Sequence, residues 1–322
     1  MSLRHICSLA VVATVSAITC FAAGQPIKIT EQEDRVRVEI AGELFTEYRF
    51  KGAPHVYFYP VIGPGGVHMT RHYPMKSDVK GEEHDHVHHR SLWYSHGLVN
   101  GVDFWAETPR AGRIVHDRFL EVKSEGDSGV IRSANKWIAP DGKVVITDEL
   151  TFRVYARPKK ERLFDFEVTL KAHDEEVVLG DTKEGTMAIR LAETMRLKPN
   201  KHNEGKPTGH IVHSTGVRDK DTWGKQAAWC DYYGPVDGRT VGVAIFDHPS
   251  NPRHPTWWHV RDYGLFAANP FGAHDFEKKP AGTGNLKIAP GKSVTFKYRF
   301  YIHEGDEKEG KVAEHYAEYA GK

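Results

Sequence analysis

Polar and apolar residues alternate along most of this chain, and a two-residue period leaves little room for anything but β structure. Arg35-Val36-Arg37-Val38-Glu39-Ile40 puts three apolar side chains on one side and three charged ones on the other, as a half-buried strand requires. The same pattern runs through 144–154, 163–170 and 293–302, the last reading Ser-Val-Thr-Phe-Lys-Tyr-Arg-Phe-Tyr-Ile. Turn-forming groups separate these runs: Gly63-Pro64-Gly65-Gly66, Asp141-Gly142, Asp237-Gly238 and Pro290-Gly291. Only 306–319 has helical spacing, with Val312, His315, Tyr316 and Tyr319 on one side. There is no alternation of strands with Gly-rich turns and helices, which excludes a nucleotide-binding α/β fold, and there is no repeat of 20–50 residues. The pattern predicts an all-β protein: one large twisted antiparallel β-sandwich over 25–322 with a short C-terminal helix.

Composition narrows the function classes. With 39% hydrophobic residues the chain can bury a core, and 44 basic against 43 acidic residues argue against a nucleic-acid binder. Residues 1–24 read as a secretory signal peptide: Arg4 and His5, an apolar stretch from Ile6 to Ala23, then Ala22-Ala23-Gly24 as a cleavage signal near Gly24 or Gln25. A lipid anchor on Cys20 is disfavoured by its Ala17-Ile18-Thr19 flank. Cleavage removes Arg4, His5, Cys7 and Cys20, leaving 43 basic and 43 acidic residues, 19 histidines and one cysteine. No other stretch is apolar enough to span a bilayer, so the expectation is a soluble periplasmic or secreted protein of a Gram-negative-type bacterium. The remaining Cys230, in an aromatic strand-like run, reads as a buried small hydrophobe.

Histidine is the unusual residue, with nine of the 19 in two segments. The first is His84-Asp85-His86-Val87-His88-His89-Arg90, followed by Trp93, His96 and Asn100. If extended, it turns His84, His86 and His88 to one face and His89 to the other, and three imidazoles on one face could hold Zn²⁺ or another divalent ion. The second, Asp247 to His274, carries His248, His254, Trp257, Trp258, His259 and Arg261, with three prolines before Thr256. Aromatic faces beside polar forks are what a sugar ring and its hydroxyls require, although the tryptophan pair could equally be core. A third segment, Asp181-Thr182-Lys183-Glu184-Gly185, offers carboxylates and a lysine for proton transfer, or an ordinary charged turn.

These segments also carry a resemblance. His86-Val87-His88-His89-Arg90-Ser91-Leu92-Trp93, the His96-to-Trp105 run, Asp181-Thr182-Lys183-Glu184-Gly185, Trp229-Cys230-Asp231-Tyr232-Tyr233-Gly234 and the His248-to-Pro255 loop resemble a secreted bacterial family labelled PmoA-like. The label refers to a methane oxygenase. Because that oxygenase subunit is an integral membrane protein and this chain has no span beyond its leader, methane oxidation is not carried over. The resemblance implies a sugar-polymer-degrading context and a sandwich similar to galactose mutarotase-like proteins. Those proteins move protons at a sugar ring with a histidine and a carboxylate on the concave sheet.

The leading reading is therefore a carbohydrate-active enzyme of epimerase, lyase or hydrolase type, acting on a sugar or glycoside without a required cofactor. His89, His96 and Glu184 are its expected acid/base groups, since histidine titrates near neutrality. Arg90, Asn100, Lys183, His248, His254 and Arg261 are expected to bind or orient the substrate, with Trp93 or Trp257 stacked on the ring. Two alternatives stand beside it: a metal-assisted enzyme using His84, His86 and His88, and a non-catalytic carbohydrate-binding sandwich.

Overall fold

The computed structural model describes residues 26–321 apart from 203, 204 and 207. The leader expected at 1–24 lies outside the described residues. Two antiparallel eight-stranded sheets face each other across the core. In spatial order the first consists of Ile27–Glu31, Arg35–Ile40, Glu43–Arg49, Tyr57–Val61, Leu92–His96, Gly185–Arg190, Leu265–Asn269 and Trp257–Val260. The second runs His210–His213, Trp229–Val236, Arg239–Asp247, Ser293–Glu304, Glu161–Lys171, Val144–Tyr155, Ser128–Ile138 and Arg113–Glu125. A separate two-stranded ribbon pairs Val177–Leu179 with Leu286–Ile288. The fold is the antiparallel β-sandwich that the alternation predicts.

The long hairpins form where period and turn chemistry agree. Asp237 and Gly238, at φ 50° and 78°, join Trp229–Val236 to Arg239–Asp247 through a two-residue loop whose backbone twist matches the strands. Phenylalanines from both sheets meet in the middle: Phe58 stacks on Phe152 at 4.5 Å, and Phe164 lies 5.8 Å from Phe45 and 4.8 Å from Phe300. Cys230 is free and buried in this core. The helix is shorter than its sequence pattern, Val312–Tyr319, and packs Tyr316 and Tyr319 on Phe246 outside the second sheet. Among the described residues no helix is long and apolar enough to cross a membrane.

The outer face of the first sheet positions the site. Leu92, Tyr94, Met187, Ile189, Phe266 and Ala268 point into the core. Their alternates therefore face out, and the register sets Trp93, Ala188, Ala267 and His259 in one row across four strands. This face holds a second apolar cluster of Tyr57, Tyr59, Trp93, Trp105, Ala188, Leu265 and Ala267, against which Tyr263 packs.

Candidate active site

The histidine-rich stretch before Leu92 is a turn, not a strand. His86 has φ 46°, and the His89 amide donates to the His86 carbonyl at 2.9 Å. The expected common face of His84, His86 and His88 does not exist. His84 stacks on Tyr73 at 4.4 Å, whereas His86 and His89, expected on opposite faces, lie flat on each other at 4.7 Å. His88 stands edge-on to both. The cause is Arg71, whose guanidinium donates to the carbonyls of Tyr73, Glu83, Asp85 and His86 at 2.9–3.2 Å, taking up acceptors that a sheet ladder would need. Among the described residues no three His, Cys, Asp or Glu side chains converge as a metal-ligand set.

Arg71 has a partner from the far side of the sequence. Its amide donates to the Arg190 carbonyl, and the Arg190 amide donates to that of Ser91, so the end of Gly185–Arg190 is sewn to both segments. Both guanidiniums are fully buried, and both donate to Asp85 Oδ1, Arg190 at 3.1 Å; Arg190 also reaches Glu193 at 3.4 Å. Buried charge persists only when it is paired in this way. Burial pushes the Asp85 carboxyl up, but His86, Arg190 and Arg71 outweigh it and hold the group well below the usual carboxylate range. Burial, then repulsion from Arg71, lowers Arg190 to about 10, still cationic at neutral pH.

This scaffold gives the two stacked imidazoles opposite tautomers. Asp85 Oδ2 lies 3.0 Å from His86 Nδ1, and because a carboxylate only accepts, the neutral ring favours its proton on Nδ1, with the lone pair on Nε2. Arg190 Nη1 lies 3.0 Å from His89 Nδ1, and a guanidinium only donates, so in His89 the lone pair is on Nδ1 and the proton on Nε2. Burial and Arg190 hold His89 well below its ordinary value, which keeps it neutral. His89, expected as an acid/base group, is held by Arg190 with its N–H on Nε2, while His86, expected as a metal ligand, lies instead against the Asp85 carboxylate and the His89 ring.

Around this pair runs a ladder of rings. Tyr263, at the tip of the hairpin between Trp257–Val260 and Leu265–Asn269, stacks on His86 at 5.0 Å; His89 continues to Trp93 at 5.4 Å, with Trp105 edge-on. Arg190 and Arg261 lie 4.9 and 5.6 Å from the Tyr263 ring centre. Burial raises the Tyr263 phenol, with Glu184 and Asp85 adding to the shift against the two arginines, so the hydroxyl keeps its proton at neutral pH. Beyond Tyr263 come Trp223 and His259. The indole N–H donates to His259 Nδ1 at 3.0 Å, and burial, then Arg261 and Lys183, lowers His259 to about 3. Lys183 and Glu184 pair at 3.0 Å with both side chains partly exposed.

The other expected residues divide. Arg90 belongs to the rim, paired with Glu107 over the Tyr57 ring. Trp93 is fully buried with its N–H on Ser95, so it supports His89 and has no face to offer a sugar. Trp257 bonds Glu277 and packs beside Phe276 at the outer margin. His96 does not join. Strand parity turns it to the core side with Leu92 and Tyr94, where Nε2 meets the Gly180 carbonyl at 2.8 Å and burial lowers it to about 4. His248 and His254 lie elsewhere, because the three-proline loop folds on the buried Asp247 of the second sheet, which takes His254, Asn251 and the Thr256 amide, while His248 bonds Ser250 against Tyr319. Asn100 ties its loop to Glu176 and Val178. The sequence reading missed Arg71, Arg190, Glu193, Tyr263, Trp223 and the roles of Asp85 and Trp105; only Tyr263, in the turn-forming Asp262-Tyr263-Gly264, had a local signal.

Several solved structures resemble this fold weakly. A mutant of the heparan sulfate lyase from Pedobacter heparinus is 10% identical with a TM-score of 0.41, covering 88% of this chain and 36% of the lyase. A glycoside hydrolase family 97 enzyme from Pseudoalteromonas sp. strain K8, in complex with panose, is 10% identical at a TM-score of 0.36, covering 90% and 36%. The chain thus spans about a third of the length of these enzymes. Galactose 1-epimerase from Lactobacillus acidophilus NCFM is 8% identical at a TM-score of 0.40, covering 88% of this chain and 100% of the epimerase. No curated protein matches the sequence. The profile of DUF6807, a family of unknown function, matches residues 35–317, and the chain belongs to that family.

Proposed function

We propose that this chain is an exported carbohydrate-active enzyme that moves a proton on a sugar or glycoside, with Asp85–His86 as the base and Tyr263 as the proton donor. The observation that carries the reading is the use of two fully buried arginines to fix one carboxylate beside a half-exposed histidine. Buried ion networks add little stability over apolar packing, so this one is best understood as holding a reactive group in place. His86 takes the proton on Nε2, and Asp85 stabilises the imidazolium that forms. Tyr263 returns a proton to the departing or rearranging oxygen. His89, through Nε2–H, donates a hydrogen bond to a substrate oxygen, and Glu184 with Lys183 borders the same surface.

The test is incubation of the mature protein with a panel of neutral and acidic oligosaccharides, products being read by mass spectrometry and NMR. Conversion by the wild type and a loss of about 10²–10⁴-fold in both His86→Ala and Tyr263→Phe is the expected result. Saturable glycan binding with no product from any of the panel would make the chain a recognition module instead.

A further inference from the structure

Arg261 differs from every other guanidinium at this surface. Arg71 and Arg190 share Asp85 and Glu193, and Arg90 holds Glu107. The guanidinium of Arg261 forms neither an ion pair nor a hydrogen bond among the described residues; its neighbours are two ring faces, Trp223 at 5.7 Å and Tyr263 at 5.6 Å. The two rings limit where the planar fork can lie, while its five N–H groups, which cannot lose their charge, have no protein acceptor. Its backbone is fixed as well: the amide donates to the Leu265 carbonyl, and its own carbonyl accepts from Gly264 and the Tyr232 hydroxyl. The only carboxylate bordering this stretch from the Lys183–Glu184 segment is already paired with its neighbouring lysine. A cation held between aromatic rings, beside a proposed base and proton donor, lacks only the anion.

We infer that Arg261 recognises an oxyanion carried by the substrate, so that the saccharide acted on is acidic, bearing a carboxylate or a sulfate. This rests on the carbohydrate reading of the site and adds its substrate class. The planar fork meets either group with two parallel N–H···O bonds, a geometry a lysine ammonium cannot reproduce. Trp223 and Tyr263 flank the contact and offer apolar surface to the ring that bears the charge.

The experiment is isothermal titration of the wild type, Arg261→Gln and Arg261→Lys with three trisaccharides: one of galacturonate, one of sulfated galactose and one of neutral galactose. At least one acidic trimer is expected to bind about tenfold or more tightly than the neutral one, the worth of one charge-assisted contact. Arg261→Gln should erase that advantage, so that acidic and neutral trimers bind alike, and Arg261→Lys should restore part of it; the acidic trimer preferred identifies the oxyanion. Equal binding of all three, or an acidic preference that survives in Arg261→Gln, overturns the inference while leaving the carbohydrate reading standing. Binding of none overturns both. Melting temperatures of the variants within a few degrees of wild type exclude misfolding as the cause.

Discussion

Asp148 predicts an unusual pH dependence of stability. The carboxyl is buried between the sheets, where Oδ2 accepts the Trp137 indole N–H at 2.6 Å and Oδ1 accepts the Asn135 amide at 2.7 Å. Burial raises it more than these bonds lower it, from 3.8 to about 6. That difference corresponds to about 3 kcal/mol, of which about 2 kcal/mol develops between pH 8 and pH 4.5. The folded protein binds this proton more tightly than the unfolded chain does. The contribution is therefore fully present below the unfolded value of 3.8 and is lost as pH rises through about 6. Asp148→Asn removes the titration and keeps the shape, because Asn135 can turn its amide over, donating to the Tyr48 hydroxyl and accepting from the Ser133 hydroxyl and the new amide at 148. Urea unfolding of both proteins from pH 4.5 to 8 is the assay. Wild type should lose about 2 kcal/mol relative to Asp148→Asn as pH rises. A constant difference, or a wild type that gains on the variant toward pH 8, would refute the argument.

The remaining predictions concern the site and its supports. Arg71→Met removes the donor to the Tyr73, Glu83 and Asp85 carbonyls and one of the two arginines on Asp85, and should cost about 3–5 kcal/mol in chemical denaturation. Trp93→Ala should cost a similar amount, about 3–5 kcal/mol, since Trp93 is a core side chain of the outer cluster; destabilisation below 1 kcal/mol with weakened glycan binding would instead make it a sugar platform. His248→Ala and His254→Ala should leave turnover of any substrate found by the panel within about twofold of wild type, because both imidazoles serve the Asp247 loop. Loss of turnover in either would return that loop to the site.

The parts of the fold that rest on local pattern were legible in the sequence. Arg35–Ile40 is a strand with the bounds its alternation predicts, and Asp237-Gly238 turns where its φ > 0 preference places it. Gly185–Arg190 carries no such signal, because all six residues are buried and no face alternates. The site escaped for a related reason. The turn at His86 is imposed by Arg71, and Asp85 is fixed by an arginine 105 positions later, neither of which a local period can register. His96 was recoverable, since it shares the parity of Leu92 and Tyr94 along one short strand and so had to face inward. The two histidine-rich segments divide: His86 and His89 lie in the turn at the candidate site, His96 in the core, and His248 and His254 in the loop folded on Asp247.

In their neutral forms the two stacked histidines hold opposite tautomers, His86 with its lone pair on Nε2 and His89 with its N–H there. Two-bond ¹H–¹⁵N correlation spectra of the ¹⁵N-histidine protein at neutral pH, assigned with His86→Gln and His89→Gln, report this directly. His89 should be neutral and protonated on Nε2, and the neutral form of His86 should carry its proton on Nδ1, changing tautomer in Asp85→Asn. A His86 protonated on Nε2, or a His89 protonated on Nδ1, would contradict it.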